Sequence, residues 1–255
     1  MIDLDQVSKT YGATAVVEAL TMHVERGELL VLLGESGSGK TTTLKMINRL
    51  IEPSAGSVRV GGTDVRSMPG HVLRRHIGYV VQRIGLFPHM TVGDNIGITP
   101  ALLGWERARI GRRVAELLEM VELDAAEMRD RFPAELSGGE QQRVGVARAL
   151  AAEPSVMLLD EPFGALDPMT RDRLQTAFQR IRKDAGVTAI FVTHDMLEAL
   201  LLGDRIAVMR DGRLVQLGTP SELLREPADD YVAQLLGTPK RQAEQIEALL
   251  GTRTS

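Results

Sequence analysis

Residues 34–41 of the chain read Gly34-Glu35-Ser36-Gly37-Ser38-Gly39-Lys40-Thr41. This glycine-rich segment follows an apolar run, Leu29–Leu33, and precedes a segment predicted to be helical to about Arg49. Glycines let backbone N–H groups curl around a phosphate group, and the start of the helix adds positive dipole. Lys40 would bring a positive charge to the phosphates, and the Thr41 hydroxyl suits Mg²⁺. The pattern therefore predicts a nucleotide-binding loop between a strand and a helix.

Two adjacent acids, Asp160 and Glu161, end a second apolar run, Val156–Leu159. Carboxylates at the end of a buried strand cost free energy unless they have partners, and a Mg²⁺ ion and a water molecule would be such partners. We expect Asp160 to lie in the Mg²⁺ shell and Glu161 to orient or activate the attacking water. The alternative is a solvated pair of acids at the start of a loop.

A third segment, Leu136-Ser137-Gly138-Gly139-Glu140, lies between the loop and the acids. Ser137 is a favourable N-cap, and Glu140 three residues later completes a capping box, so the simplest interpretation is a well-capped helix that runs to about Ala152. Two glycines in the first turn argue for more than capping, because each costs about 1 kcal/mol in a helix. They suit a site where a phosphate group approaches bare N–H groups.

In this order and spacing, the three segments resemble those of the nucleotide-binding subunit of an ATP-binding-cassette (ABC) transporter. The resemblance covers about residues 2–236 and leaves residues 237–255 as a short C-terminal helical tail. It implies an α/β fold, the P-loop ABC nucleotide-binding domain, with a mostly parallel core sheet, an antiparallel β subdomain and an inserted helical subdomain. It also implies ATP and Mg²⁺ as cofactors, and ATP hydrolysis coupled to transmembrane transport.

The hydrophobic pattern agrees with such a core. Apolar strands alternate with helical segments, which indicates a parallel sheet covered on both faces. The predicted strands are Ile2–Val7, Leu20–Val24, Leu29–Leu33, Ser57–Val60, Ile77–Val81, Val156–Leu159, Thr188–Val192, Ile206–Met209 and Leu214–Leu217. Asp211-Gly212 predicts a tight hairpin turn between the last two.

From about residue 91 to residue 152 the pattern becomes helical, and we interpret this range as a helical subdomain inserted into the α/β core. Its clearest apolar face comprises Val114, Leu117, Leu118 and Val121. The C-terminal tail has a shorter apolar face of Ile246, Leu249 and Leu250. We expect this tail to pack on its own domain or to fray.

The resemblance implies roles for individual residues within one chain. ATP would be bound by Tyr11, Gly34, Glu35, Ser36, Gly37, Ser38, Gly39, Lys40, Thr41, Thr42 and Gln82, with the Tyr11 ring stacked on adenine. Mg²⁺ would be held by Thr41, Gln82 and Asp160. The catalytic residues would be Glu161, His194 and Lys40, with His194 contacting the γ-phosphate and holding the attacking water.

The resemblance also implies a site shared between two chains. The signature residues Ser137, Gly138, Gly139 and Glu140 would cap the ATP of a second, antiparallel subunit. Asp167 would touch the partner's site from the loop that follows the two acids. We expect a homodimer, or a heterodimer with a closely related chain, with two ATP molecules sandwiched between the subunits. Hydrolysis should release this dimer, because the γ-phosphate forms part of the interface.

Composition excludes several other classes of protein. The net charge of −4 gives no indication of nucleic-acid binding, and the absence of cysteine excludes disulfides and thiol–metal sites. No apolar run approaches the ~18 residues of a membrane helix, and the N-terminus lacks the features of a signal peptide. We expect a soluble chain that reaches a membrane only by docking.

Three segments look like those of bacterial importers for glycine betaine, choline and related quaternary-amine osmoprotectants, namely residues 82–89, 163–172 and 202–207. Such importers pair the ATPase with an integral membrane permease and an extracytoplasmic substrate-binding protein. The implied location is the cytoplasmic face of the bacterial inner membrane. The permease would dock at residues 87–90.

Two departures from that pattern bear on the substrate. Glu140 stands where the family usually has glutamine, although the capping box survives. The sequence ends at Ser255, without the tandem regulatory domains of many osmoprotectant ATPases, so either regulation lies elsewhere or the substrate differs. The alternatives are the ATPase of an amino-acid, methionine or sulfonate importer, an exporter, or a soluble ABC ATPase acting on ribosomes or DNA.

Overall fold

The computed structural model describes residues 1–82 and 85–237, together with Arg241 and Gln245. The tail residues Ile246, Leu249 and Leu250 lie outside this range, and the domain boundary at residue 236 stays a prediction. Within the described residues, no helix combines the length and the apolar character that a membrane-spanning segment needs.

A six-stranded sheet forms the centre of the molecule, in the order β10-β9-β3-β8-β7-β6. Its strands are β3 (Leu29–Leu33), β6 (Ile77–Val80), β7 (Val156–Asp160), β8 (Thr188–Thr193), β9 (Arg205–Arg210) and β10 (Arg213–Gly218). All pairs are parallel except β9–β10, the hairpin predicted at Asp211-Gly212. The carboxyl ends of the parallel strands therefore meet at one edge.

A smaller, antiparallel sheet lies against one face of the central sheet, in the order β2-β1-β4-β5. Its strands are β1 (Ile2–Tyr11), β2 (Thr14–Val24), β4 (Ala55–Val60) and β5 (Thr63–Asp64). The two sheets together confirm the predicted α/β architecture with a mostly parallel core and an antiparallel β subdomain.

Helices cover both faces of the central sheet. They are α1 (Lys40–Ile47), α2 (Gly70–Arg75), α3 (Val92–Leu102), α4 (Arg107–Met120), α5 (Ala125–Met128), α6 (Gly138–Leu150), α7 (Pro168–Ala185), α8 (Met196–Leu202) and α9 (Pro220–Arg225). A further helix covers residues 230–237. Helices α3 to α6 occupy the range predicted to be helical, and the predicted apolar face of α4 is buried.

The alternation of side chains along β3 divides the core into two clusters. Leu29, Val31 and Leu33 belong to the cluster on the face that α8 covers, whereas Leu30 and Leu32 belong to the cluster that includes α1 and the small sheet. All five residues are essentially inaccessible to solvent. The strand that leads into the glycine loop is therefore fixed from both sides, which gives the loop a rigid base.

The first two strands are longer than predicted. The sequence prediction ends β1 at Val7 and begins β2 at Leu20, but the structure continues both strands to a turn at Gly12. Register shifts interrupt the pairing after Leu4, and Gln6 has a positive φ of 48°. These irregularities break the two-residue alternation of apolar side chains that a sequence reveals.

Helix α7, the longest described, was not among the predicted elements. Only two of its apolar side chains, Leu174 and Phe178, are buried. A third buried side chain is charged: Arg182 is 3% exposed, donates a hydrogen bond to the carbonyl of Gly27 and pairs with Asp204 Oδ2 at 3.0 Å. The same Asp204 oxygen accepts a hydrogen bond from the backbone N–H that begins β3, at 2.7 Å.

We predict that Arg182→Ala lowers the free energy of unfolding by about 2 to 3 kcal/mol, because a buried side chain is truncated and the Gly27 carbonyl and Asp204 lose their donor. Denaturant unfolding would measure the change. Arg180→Ala, on the exposed side of the same helix, is the control and should change stability by no more than about 0.5 kcal/mol. Equal stability of the two variants would show that the Arg182 cluster does not hold α7 to the sheet.

Candidate functional site

The glycine loop has the backbone conformation that its sequence predicts. Gly34, Gly37 and Gly39 have φ values of 151°, 85° and 99°. A Cβ atom on Gly34 would collide with the carbonyl of Met209, and one on Gly39 would lie 2.7 Å from the carbonyl of Val16. Glycine is therefore required at both ends of the loop for conformation and for space.

Lys40 begins α1 and turns its side chain back into this loop. Its Nζ donates hydrogen bonds to the carbonyl oxygens of Gly34 and Glu35, both at 2.7 Å, and to Ser38 Oγ at 3.2 Å. The side chain is buried, and this burial lowers the pKa of Lys40, opposed by the charges of Glu161 and Asp160. A cation is thus held at the centre of the loop.

Asp160 ends β7 next to the first turn of α1. The hydroxyl of Thr41 donates a hydrogen bond to Asp160 Oδ1 at 3.0 Å. Asp160 is 2% exposed, and burial raises the pKa of its carboxyl, opposed by the Thr41 hydrogen bond. A buried carboxylate beside a hydroxyl is the kind of hard oxygen donor set that Mg²⁺ uses when substrate phosphates and water complete its shell.

Glu161 is held in a left-handed conformation with φ of 48°, which is unfavourable for a residue that is not glycine. Its backbone N–H donates to the carbonyl of Val192 at 3.0 Å, and its own carbonyl accepts from Gln142 Nε2 at 3.1 Å. Its carboxylate contacts two side chains: Oε1 lies 3.1 Å from His194 Nδ1, and Oε2 accepts from Gln82 Nε2 at 3.2 Å. Neighbouring strand ends therefore aim the Glu161 carboxylate.

Most of these residues line one cleft of about 470 Å³, and Asp160 and Gly34 lie outside its lining. It is lined by Val16, Ser36, Gly37, Gly39, Lys40, Thr41, Thr42, Gln82, Glu161 and His194. The structure thus brings together most of the site that the sequence predicts within one chain. Among the remaining predicted loop residues, Glu35 donates its backbone N–H to the hydroxyl of Tyr231 at 3.4 Å.

Tyr11 lies outside that lining, at the end of β1, where its ring is half exposed and Lys9 Nζ lies 5.0 Å from the ring centroid. Asp167 also lies outside it. Its Oδ1 accepts a hydrogen bond from Thr170 N at 3.0 Å and so caps α7. The roles predicted for these two residues stay predictions.

The signature segment forms the predicted capping box at the start of α6. Ser137 Oγ accepts from Glu140 N at 3.3 Å, and Glu140 Oε2 accepts from Ser137 N at 2.7 Å. Hydrogen bonds with Ser137 lower the pKa of Glu140. None of these residues lines the cleft of its own chain, and a Cβ atom on Gly138 would meet no atom within 4 Å. The N-terminus of α6 is therefore open to a second molecule.

Gln142 is a residue of the site that sequence reasoning missed. It is buried, and besides its bond to the Glu161 carbonyl its Oε1 accepts from Ala165 N at 3.0 Å. One amide thus joins α6 to both ends of the turn after β7. The signal available in the sequence was only a polar residue on an otherwise apolar helix face.

The comparisons with known proteins agree with this geometry. The sequence profile described as ABC transporter matches residues 17–164, more than half of the 255 residues. The chain belongs to the ABC transporter family. It is an ABC ATPase.

Curated relatives include several importers' ATP-binding proteins. The choline transport ATP-binding protein OpuBA of Bacillus subtilis (strain 168) is 48% identical over 99% of this chain and 68% of its own length. The glycine betaine/carnitine/choline transport ATP-binding protein OpuCA of the same organism is 51% identical over 93% of this chain and 62% of its own. The spermidine/putrescine import ATP-binding protein PotA of Thermobifida fusca is 47% identical over 93% of this chain and 62% of its own length.

A solved structure supports the fold independently. The dimeric structure of MJ0796, a bacterial ABC transporter cassette, has a TM-score of 0.81 and 32% sequence identity, and it covers 86% of this chain and 99% of its own. The same cassette was also solved as a dimer in a post-hydrolysis state bound to ADP and phosphate, with a TM-score of 0.80.

We predict that Asp160→Asn stabilises the ligand-free chain at neutral pH and abolishes the extra stabilisation by Mg-ATP. The raised pKa of Asp160 means that its ionised form disfavours folding, so removing the charge should raise the Tm by about 2 to 4 °C. This gain should disappear as the pH falls below the ordinary aspartate pKa, where both states are protonated. Thermal unfolding with and without Mg-ATP measures both effects.

The exposed Asp172→Asn is the matched control, and it should leave the Tm and the effect of Mg-ATP unchanged. If Asp160→Asn lowered the Tm of the ligand-free chain and kept the full response to Mg-ATP, Asp160 would be a structural residue and not part of a metal site.

Proposed function

We propose that this chain is the ATP-hydrolysing subunit of an ABC importer for quaternary-amine osmoprotectants of the glycine betaine and choline type. The observation that carries the ATPase chemistry is the Glu161 carboxylate, which His194 and Gln82 contact from two sides at the mouth of the phosphate loop. The names of the relatives support the substrate class.

The binding step uses the loop and its lysine. The backbone N–H groups of residues 34–39 and the hydroxyls of Ser38 and Thr42 surround the phosphates, and Tyr11 stacks on the adenine from the small sheet. Lys40 exchanges its carbonyl partners for phosphate oxygens, which places its charge where negative charge develops. Thr41, Asp160 and Gln82 would hold Mg²⁺, which neutralises phosphate charge when bound.

The hydrolytic step uses Glu161 as the acceptor for the proton of the attacking water. Its strained backbone is fixed by Val192 and Gln142, and the contacts with His194 and Gln82 keep the carboxylate at the cleft. His194 lies against one carboxylate oxygen and orients the water with the γ-phosphate. Gln82 on the other oxygen is a neutral amide, which can contact the metal shell and release it without holding the ion as a carboxylate would.

A second copy of the chain would complete each site. The start of α6 offers unblocked N–H groups at Gly138 and Gly139 and the hydroxyl of Ser137, and these would cap the γ-phosphate of the partner. Asp167 would face the same interface. The dimeric form of the solved cassette, MJ0796, supports this arrangement.

A second cleft, of about 480 Å³, is the proposed docking site for the permease. Phe87 and Leu102 are exposed beside it, 41% and 55% respectively, and its floor includes Tyr79. Arg148 lies below the Phe87 ring, with the guanidinium carbon 5.9 Å from the centroid. The lining of this cleft includes Val81, which directly precedes Gln82, so docking could displace Gln82 at the proposed nucleotide site. Docking would place the chain at the cytoplasmic face of a bacterial inner membrane, next to an extracytoplasmic substrate-binding protein, and it requires no nucleic acid.

We predict that Glu161→Gln binds Mg-ATP, forms a stable dimer and loses at least about a hundredfold in kcat, because binding contacts remain while proton acceptance is lost. Size-exclusion chromatography and steady-state phosphate release would measure the two effects. Lys40→Ala is the comparison: it should lose ATP affinity itself and form no dimer. An unchanged kcat in Glu161→Gln would overturn the role assigned to Glu161.

The substrate class can be tested by identifying the proteins that co-purify with this chain. The Glu161→Gln chain with saturating Mg-ATP should co-purify a multispanning permease from native membranes, and the associated binding protein should take up glycine betaine or choline. Calorimetric titration of this binding protein with glycine betaine, choline and putrescine would distinguish the candidate substrate classes. Binding of putrescine alone would replace the osmoprotectant proposal, and recovery of ribosomes or DNA without a permease would refute the importer.

A further inference from the structure

Helices α7 and α8 each begin next to a residue of the proposed site. Helix α7 is capped by Asp167, in the loop expected to face the second subunit. Helix α8 is capped by Asp195, the residue directly after His194. Asp195 Oδ1 accepts the backbone N–H groups of Leu197 and Glu198 at 2.9 and 3.2 Å. Any contact between the two helix starts therefore joins the dimer-facing loop to the histidine.

Arg171, in the first turn of α7, makes such a contact. Its Nη2 donates a hydrogen bond to the carbonyl of Leu166 at 3.2 Å, and its Nη1 lies 3.9 Å from Asp195 Oδ2. Its Nε is buried and has no hydrogen-bond partner among the described residues. One guanidinium thus bridges the loop before α7 and the cap of α8.

A second pair lies one turn further along both helices. Gln175 Nε2 donates to Glu198 Oε1 at 2.7 Å. Burial raises the pKa of Glu198, while hydrogen bonds with Thr193 and Gln175 and the charge of Arg171 lower it. The Arg171 charge therefore acts on Glu198 as well, and two side-chain contacts join the starts of the two helices next to His194.

The chemistry of this bridge requires arginine. A guanidinium presents separate N–H groups in a planar fork, so one of them can donate to the Leu166 carbonyl while another faces the Asp195 carboxylate at the longer ion-pair distance of 3.9 Å. An ammonium group at position 171 would keep the charge but reach only one of the two acceptors at good geometry. Asp195, for its part, uses one oxygen for the helix cap and the other for the arginine.

We propose that Arg171 is a positioning residue that couples the loop of residues 165–167 to His194, so that the arrival of a second subunit at this loop sets the histidine for hydrolysis. The proposal rests on the proposed function, because it assumes that the loop meets the partner's nucleotide site. Arg171 itself lies outside the lining of the cleft. It acts through Leu166 and Asp195, not on the nucleotide.

The test is steady-state hydrolysis of Mg-ATP by the full chain, measured against ATP concentration at a protein concentration that permits dimerisation. Arg171→Ala and Arg171→Lys should each lower kcat about tenfold, with KM for ATP unchanged, because a misplaced catalytic group costs rate and not binding. The Hill coefficient should fall towards 1. The exposed Arg180→Ala, on the same helix, should match the wild type.

Asp195→Asn provides a second variant, because asparagine keeps the N-cap acceptor and removes only the charge. It should reproduce the effect of Arg171→Lys, and the double variant should be no slower than either single one. In a Glu161→Gln background, Arg171→Ala should still form the ATP-bound dimer, which separates coupling from assembly.

A kcat within twofold of the wild type for both Arg171→Lys and Asp195→Asn would overturn the coupling while leaving the proposed function intact. Loss of the ATP-bound dimer with Arg171→Ala in the Glu161→Gln background would also overturn it, since the role would then be structural. A wild-type chain that hydrolyses no ATP would refute the proposed function and the coupling together.

Discussion

Parallel pairing of four neighbouring strands is the constraint on which the rest of this site depends. Because β3, β8, β7 and β6 all run in the same direction, their carboxyl ends lie along one edge of the sheet. The phosphate loop, His194, the two acids and Gln82 each follow one of these strands. Sequence positions that are more than 150 residues apart at the extremes, from Lys40 to His194, are thereby placed around one cleft. Packing on both faces of the sheet holds the strands in place, and the ends of the strands position the residues of the proposed site.

The buried charged groups at this edge of the sheet make an unfavourable contribution to the free energy of folding in the ligand-free state. Lys40 and Asp160 are both nearly inaccessible to water. Burial lowers the pKa of Lys40 and raises the pKa of Asp160, so it favours the neutral form of each group. The oxygen partners of Lys40 are all neutral, and Asp160 accepts a hydrogen bond from the Thr41 hydroxyl, so neither charge is bonded to a group of opposite charge. In the proposed site a nucleotide with its metal ion would supply the opposite charges, so binding would offset an unfavourable free-energy term that folding has already incurred. The left-handed backbone conformation of Glu161 adds a second unfavourable contribution to the free energy of folding.

Much of the fold could be predicted from the sequence because its decisive segments are local. The glycine loop needs only a strand before it and a helix after it, and the capping box at Ser137 and Glu140 is complete within four residues. What escaped prediction depends on contacts between distant residues. The irregular ends of β1 and β2 lack a regular alternation of apolar side chains, and α7 has only a narrow apolar face. The roles of Gln142 and Arg171 depend on carbonyl and carboxylate groups that only the fold places beside them.

The Lys40 ammonium group has a further consequence. In the ligand-free loop it already has three oxygen partners, two carbonyls and a hydroxyl, so an incoming ligand does not meet a bare cation. Nucleotide binding is then an exchange of one oxygen cage for another, and its free energy is the difference between the two. A chloride ion is a single atom and cannot replace three separately placed oxygen acceptors. The empty loop should therefore ignore the abundant simple anions of its surroundings and respond to a polyphosphate chain.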